Sequence, residues 1–324
     1  MKVFDIFSGS GGYSLGFEKS GMQTVAFCEY EEYAKRVLKK NWQEVPIYGD
    51  VTTVTGEDLK RDGIDFELIC GGFPCQDISI AGKNKGIIEG ERSGLWREFR
   101  RLINETRPKY AVIENVSALL SRGLNVILED LAKIGYDATW TMCDSQYFGV
   151  PQRRRRVYIL AVRDGIPEGA DIFGFVERSD EAIKSKTLHI QESRPWNFEQ
   201  GSKIGYPFAF FTRQRSDQFG EKGVASTILK RDYKDFTDLI LDQDGLRKIS
   251  VPERLALQGY PTDFFDGCDL SNTQSYMLNG MSIPVVEWLG KRIMDFDNQV
   301  TSGTLFPQYE KPVTLEDFFT KTYA

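Results

Sequence analysis

A chain of 324 residues that is 41% hydrophobic and 27% charged has apolar material for one large domain or two unequal ones, which excludes the disordered and fibrous classes. Its net charge of −6 gives no sign of a nucleic-acid partner, although the distribution of charge matters more than its sum. No run approaches the roughly 18 apolar residues of a membrane span, and Met1 to Ile6 enters a strand-like pattern in place of a signal peptide, so a cytoplasmic protein without membrane contact is expected.

In chain order, short apolar runs alternate with longer amphipathic ones: Val3–Phe7 then Tyr13–Lys19, Thr24–Cys28 then Glu32–Asn41, Leu68–Cys70 then Leu95–Ile103, and Tyr110–Ile113 then Asn125–Ile134. That rhythm predicts an α/β fold, a doubly wound and mostly parallel sheet. Tyr158–Val162 reads as another buried strand, and there the character changes. From about Arg163 to Leu246 the apolar runs are short, with frequent Gly, Asp and aromatic residues, which predicts a small irregular domain. At Ser250-Val251-Pro252-Glu253 a capping serine, a first-turn proline and an acid three residues on mark a helix start. Helical patterning continues through Ser282–Met294. The expected division is therefore 1–163, then 164–246, then a return of 247–324 to the first domain.

In open parallel sheets, ligands bind beyond the carboxyl ends of the strands, so the residues there are the first candidates. Phe7-Ser8-Gly9-Ser10-Gly11-Gly12 follows the first strand, and Gly9, Gly11 and Gly12 would allow a tight turn and close approach of a ligand. Glu29 ends the second strand, where its carboxylate could accept from ribose hydroxyls. Asp50, followed by Val51, ends the third, within reach of an adenine amine. These acids describe an adenosine pocket that suits a nicotinamide dinucleotide and S-adenosylmethionine alike.

Gly71-Gly72-Phe73-Pro74-Cys75-Gln76 follows the strand at Leu68–Cys70, with glycines removing bulk and Pro74 stiffening the backbone before the sulfur. This displays Cys75 on a loop as a nucleophile, provided positive charge or a helix terminus favours its thiolate. The other cysteines, Cys28, Cys70, Cys143 and Cys268, read as buried packing residues. Five cysteines without a Cys-x-x-Cys pair, and a single histidine at His189, argue against a disulfide framework, a metal site and a histidine-centred triad. Glu114-Asn115-Val116 ends the adjacent strand, putting a carboxyl group across from Cys75, placed to hold or deliver a proton. Gln152-Arg153-Arg154-Arg155-Arg156 concentrates four positive charges, and the stretch 203–234 holds seven Lys/Arg against three acids, enough for a basic cleft.

Taken in order, Asp5 to Gly12, Glu29, Gly49-Asp50, Gly72-Phe73-Pro74-Cys75-Gln76, Glu114-Asn115-Val116, Gln152 to Arg156, and Arg247 through Glu253 to Gln258-Gly259-Tyr260-Pro261 closely resemble the cytosine carbon-5 DNA methyltransferases. The resemblance implies a Rossmann-like methyltransferase fold and S-adenosylmethionine as cofactor, with S-adenosylhomocysteine as product. It implies that Arg163 to Leu246, the unmatched stretch, is a target-recognition domain, in which Thr227-Ile228 resembles the family's Thr-aliphatic pair. By similarity, Phe7 lies against the adenine, Glu29 and Tyr30 by the ribose, Asp50 with Val51 at the adenine amine, and Pro74, Leu95 and Ser282 around the methionine portion. Arg156 would bind the cytosine carbonyl and Arg154 a nearby phosphate. Gln76, Arg92, Arg213, Arg215, Thr227, Lys230 and Arg231 are the DNA-contact candidates, and the loop 79–93 would close over the base. One departure is plain: the family's usual Gly-Asn-Ser/Ala-Val reads Gly280-Met281-Ser282-Ile283 here.

What the resemblance implies chemically is addition of the Cys75 thiolate to carbon 6 of cytosine while Glu114 bonds ring nitrogen 3 and the exocyclic amine, which activates carbon 5 for methylation. A stacked base cannot reach these groups, so it must be flipped out of double-stranded DNA. The enzyme would be a monomer and the modification partner of a restriction endonuclease with which it forms no stable complex, or a phage or orphan enzyme. Two alternatives stand beside it: the same reaction on transfer RNA, disfavoured by the absence of that branch's Cys-Phe-Thr segment, and a non-catalytic binding module in which Met281 marks a decayed site.

Overall fold

The computed structural model describes residues 1–74, 94–167, 170, 172–173, 209–212, 220–222, 224–234, 237–242 and 245–303. Its larger sheet has seven strands: β1 (Lys2–Ile6), β2 (Gln23–Cys28), β3 (Ile47–Tyr48), β4 (Leu68–Gly71), β5 (Tyr110–Val116), β6 (Asp137–Asp144) and β7 (Arg155–Val162). Their order is β3-β2-β1-β4-β5-β7-β6. All pairings are parallel except those of β7, which runs antiparallel to both β5 and β6. The chain leaves β1 toward β2 on one side and resumes at β4 on the other, so the strand order reverses between β1 and β4. A crevice opens at such a switch point because the two crossovers diverge there.

Helices α1 (Gly12–Lys19), α2 (Glu32–Asn41), α3 (Gly56–Arg61), α4 (Gly94–Thr106), α5 (Leu119–Arg122) and α6 (Leu124–Lys133) connect these strands. The strands alternate their side chains between two cores, as a two-residue period requires. Phe4, Ile6 and Ile69 join Trp96, Phe99 and Ile103 of α4 on one face. Val3, Leu68 and Cys70 join Phe17 of α1 on the other, with Val286 and Leu289 of the terminal helix. That helix, α9 (Ile283–Ser302), is reached through α7 (Val251–Ala256) and α8 (Asn272–Met277). Gly16 lets α1 meet it closely, since a Cβ there would lie 2.5 Å from Cβ of Val286. Helical structure thus returns to the first sheet near where the sequence predicts it, and Ser250 caps α7 in a full capping box with Glu253.

A second, antiparallel sheet takes the order β11-β10-β8-β9, from β8 (Ala209–Thr212), β9 (Gly220–Lys222), β10 (Asp238–Asp242) and β11 (Gly245–Lys248). Its last strand ends two residues beyond Leu246. The elements missed by the sequence reading include α3, α5, α8 and β6. The last is only partly buried along most of Asp137–Asp144 and lacks the continuous apolar run of an inner strand.

Candidate active site and DNA face

The turn after β1 is held in three left-handed conformations, at Phe7 (φ 54), Gly9 (φ 55) and Gly11 (φ 78). The Gly11 amide donates to the Ser8 carbonyl at 2.8 Å, and the Gly9 amide donates to Oε2 of Glu29 at 2.6 Å. The other Glu29 oxygen accepts from the Glu31 amide at 2.8 Å. One carboxylate therefore ties the turn after β1 to the end of β2. The three glycines do different work. A Cβ on Gly9 would meet nothing within 4 Å, whereas one on Gly11 would lie 2.6 Å from the Trp42 ring and one on Gly12 would press on Tyr260 and Met281. Close ligand approach, expected of all three, is available at Gly9; Gly11 and Gly12 are small because protein fills the space beside them.

Around this turn lie the other residues expected at a cofactor. Tyr30 is 71% exposed beside Glu29, a large apolar surface with no cover. Oδ1 of Asp50 accepts from the Thr52 amide at 2.9 Å, and Val51 is buried. Phe7 and Leu95 are partly buried against the α4 core. Ser282 precedes α9 with its hydroxyl buried and without a hydrogen-bond partner. A buried hydroxyl left unpaired is costly, and a polar ligand at the switch point would satisfy it. Met281 packs into the core beside α1, so the residue at the family's asparagine position fills space against Gly12. Tyr260 lies beside it, its hydroxyl 3.1 Å from that of Ser10 and its proton held up to about 12 by burial.

At the end of β4 the chain is described up to Pro74; Cys75, Gln76 and Arg92 lie outside the described residues, as do Arg213, Arg215 and His189. The four cysteines that are described are all buried and free. Burial raises each thiol, that of Cys28 to about 12 and those of Cys70, Cys143 and Cys268 also upward, so none offers a thiolate at neutral pH.

Glu114 lies near the end of β5 against Gly72. Parallel pairing aligns Gly71 with Ile113, which brings the next residues together: a Cβ on Gly72 would lie 2.6 Å from Oε2 of Glu114. Asn115 donates from Nδ2 to the Phe73 carbonyl at 3.2 Å, and its Oδ1 accepts from the Val116 amide. The sequence reading gave Asn115 no role; its place is to fix the backbone two residues before Cys75. On the far side, antiparallel register pairs Glu114 with Tyr158 and Val116 with Arg156, so Arg156 is the diagonal neighbour of Glu114 on one face. Its Nε is 2.9 Å from Oε1 of Glu114, yet that oxygen accepts no hydrogen bond. The pair holds the buried carboxyl by charge, without a well-directed hydrogen bond to that oxygen.

The arginine run divides by the two-residue period. Arg153 and Arg155 are exposed, whereas Arg154 is 7% exposed with Nε and Nη1 unpartnered. Burial, then the charge of Arg156, lowers its pKa to about 10. The expected phosphate contact is thus assigned to a side chain withdrawn from the surface, beside Arg156. The Arg153 backbone holds the candidate recognition segment: its amide donates to the Ala225 carbonyl at 2.8 Å, and its carbonyl accepts from the Thr227 hydroxyl at 2.8 Å. Lys230 and Arg231 are exposed on the following turn.

A switch-point crevice with a glycine turn, an acid at the end of β2 and a carboxylate–guanidinium pair at the end of β5 defines a Rossmann-like nucleotide-cofactor enzyme. Comparison with known proteins narrows this. Residues 1–195 match the model of the C-5 cytosine-specific DNA methylases. The Type II methyltransferase M2.BsuMI of Bacillus subtilis is 30% identical over 328 residues, covering 94% of this chain and 80% of that protein. M.NgoBI of Neisseria gonorrhoeae is 29% identical over 313 residues, covering 88% and 90%. Among solved structures, the Dnmt2 methyltransferase of S. pombe superposes with a TM-score of 0.70 over 92% of this chain and 99% of its own, at 18% identity, which supports the fold. The chain belongs to the C-5 cytosine-specific DNA methylase family. It is a DNA cytosine methyltransferase.

Proposed function

We propose that the protein methylates carbon 5 of a cytosine flipped out of a specific double-stranded DNA sequence, with Cys75 as nucleophile and S-adenosylmethionine as donor. The observation that carries this reading is the Glu114–Arg156 pair against Gly72, three residues before Cys75. Cys75 adds to carbon 6, while Glu114 holds ring nitrogen 3 and the exocyclic amine, steadying the charge that develops on the ring. Arg156 keeps the Glu114 carboxyl oriented and faces the cytosine carbonyl. The buried guanidinium of Arg154 serves this same base pocket; phosphate contact passes to exposed neighbours. Bound cofactor supplies an electrophilic methyl group. Glu29 and Tyr30 would hold its ribose, Asp50 and Val51 its adenine beside Phe7, and Pro74, Leu95 and Ser282 its amino-acid portion. The orphaned Ser282 hydroxyl and the open space at Gly9 fit such a molecule. Loss of the carbon-5 proton and expulsion of Cys75 then restore the ring.

The chain is read as a catalytic domain of residues 1–163, a recognition domain of 164–246 and a returning segment of 247–324. Thr227, Lys230 and Arg231, with Gln76, Arg92, Arg213 and Arg215, are the proposed DNA contacts. Among the described residues no helix is long and apolar enough to cross a membrane. The protein is read as a monomer and, alongside relatives named as Type II methyltransferases, as the modification enzyme of a restriction system with no stable endonuclease complex. Duplex DNA containing 5-fluorocytosine, incubated with protein and S-adenosylmethionine, should form an adduct that survives denaturation and is lost in Cys75→Ala. Binding without an adduct would instead establish a non-catalytic module. Bisulfite sequencing of DNA from cells expressing the protein reads out the target sequence.

A further inference from the structure

The recognition segment is fastened at two places. At one end, Ala225 bridges to Gln152, its amide donating to the Pro151 carbonyl at 2.8 Å, and this is the run that leads into Arg154 and Arg156. At the other, Asn279 donates to the Ile228 carbonyl at 2.7 Å and Arg254 reaches in from α7. Arg254 is 4% exposed and Asp232 5%. Nη1 of Arg254 lies 2.8 Å from Oδ2 of Asp232, while Nη2 donates to the carbonyls of Leu229 at 3.3 Å and Tyr276 at 3.1 Å. The guanidinium lies over the Tyr276 ring, 4.8 Å from its centroid. Asp232 in turn accepts from the Leu229 amide at 2.8 Å, closing the turn Lys230–Tyr233.

A buried ion pair is a poor device for stability, since its desolvation offsets its attraction, but it fixes register because each charge tolerates few geometries. Here one guanidinium joins three segments: the turn bearing Lys230 and Arg231, the helix α7, and the end of α8. Planar, forked donors can span acceptors in this way where an ammonium cannot. We propose that Arg254 and Asp232 are positioning residues for target recognition. They set the distance between the segment that reads DNA, Thr227 to Arg231, and the pocket at Glu114 and Arg156, so that a site is read in register with the base to be flipped. This rests on the assignment of residues 224–234 to the DNA face.

The test compares wild type with Arg254→Met/Asp232→Asn, which removes both charges together and so leaves none buried alone. Steady-state kinetics on duplex DNA and bisulfite sequencing of a random-site library are the readouts. We expect KM for DNA to rise about tenfold or more while KM for S-adenosylmethionine and kcat change less than about twofold, and methylation to spread to sites differing by one base. An unchanged DNA KM and site distribution in the folded variant overturns the proposal. So does a fall of kcat and cofactor affinity together with folded fraction, the signature of a merely structural role. Should the double variant fail to fold, Arg254→Lys gives the same readouts: it keeps the charge but cannot span the three acceptors, and wild-type kinetics and specificity there would overturn the proposal equally. Absence of methylation or of a 5-fluorocytosine adduct in the wild type itself would refute the catalytic reading instead.

Discussion

There is no room for a methyl group between Gly72 and the Glu114 carboxyl, the proposed catalytic acid. Gly72→Ala would press on Oε2 of Glu114 and turn the carboxyl whose other oxygen, Oε1, pairs with the Arg156 guanidinium, and an ångström of misplacement at a reacting group costs about a hundredfold in rate. We expect kcat to fall by about that factor with the unfolding midpoint little changed, measured by tritium transfer and thermal denaturation. Arg154 makes the opposite case. Its buried, partly unpartnered guanidinium beside a like charge is a cost to the fold, which the proposed role in the base pocket would explain, as for many buried polar groups at sites. Arg154→Met, which removes a buried guanidinium with two unpartnered nitrogens beside a like charge, should therefore leave the free protein at least as stable as wild type while abolishing methyl transfer; urea denaturation and the tritium assay check the two halves. Neither effect was legible in the sequence. Glu114 and the arginines could be picked out by residue type and position, but which arginines turn inward depends on the register of β7 against β5, and a sequence does not print register.

Between elements, Asp5 is the joint. It leaves β1 fully buried, and its Oδ2 accepts from the Ser14 hydroxyl at 2.9 Å and the Ser14 amide at 3.3 Å, tying the strand to the first turn of α1. Its other oxygen has no partner. Burial raises its pKa well above the ordinary 3.8, and the Ser14 bonds only partly oppose this. The sign follows from proton counting: above pH 3.8 the unfolded chain releases this proton while the folded chain keeps it. The folded state binds more protons there, so Asp5 takes stability away as pH rises through that window toward its folded value. Asp5→Asn should flatten the fall, so that urea midpoints at about pH 4.5 and 7.5 lie closer together than in wild type; an unchanged difference would show that Asp5 is ionised in the fold. The strands and helices around this joint follow from apolar periodicity, because β1 and β4 are buried on both faces and α4 on one. Less legible were α3, α8 and β6: α3 and α8 span only six residues each, and β6 lies at the sheet edge half in solvent, where the pattern weakens.

Across the whole molecule the puzzle is a net charge of −6 on a protein that must hold a polyanion. The fold answers it by sorting charge. Arg153 and Arg155 stand exposed on the strand entry that also carries Arg154 and Arg156, and the Arg153 backbone bonds directly to the segment presenting Lys230 and Arg231. Four cations thus share one continuous run of structure, and the acid that pairs with Arg153 is Asp144, at 4.0 Å and buried. Phosphate neutralisation releases counterions, so affinity should fall steeply with salt despite the acidic whole, with a slope of about 0.9 per phosphate contact. Replacing one of the four with alanine should weaken binding alike on target and non-target duplexes and lower that slope by about 1. Fluorescence anisotropy from about 50 to 200 mM salt measures both. A variant that loses affinity for its own target alone, with the slope unchanged, would show that the cation reads a base edge and that the sorting of charge serves recognition, not capture.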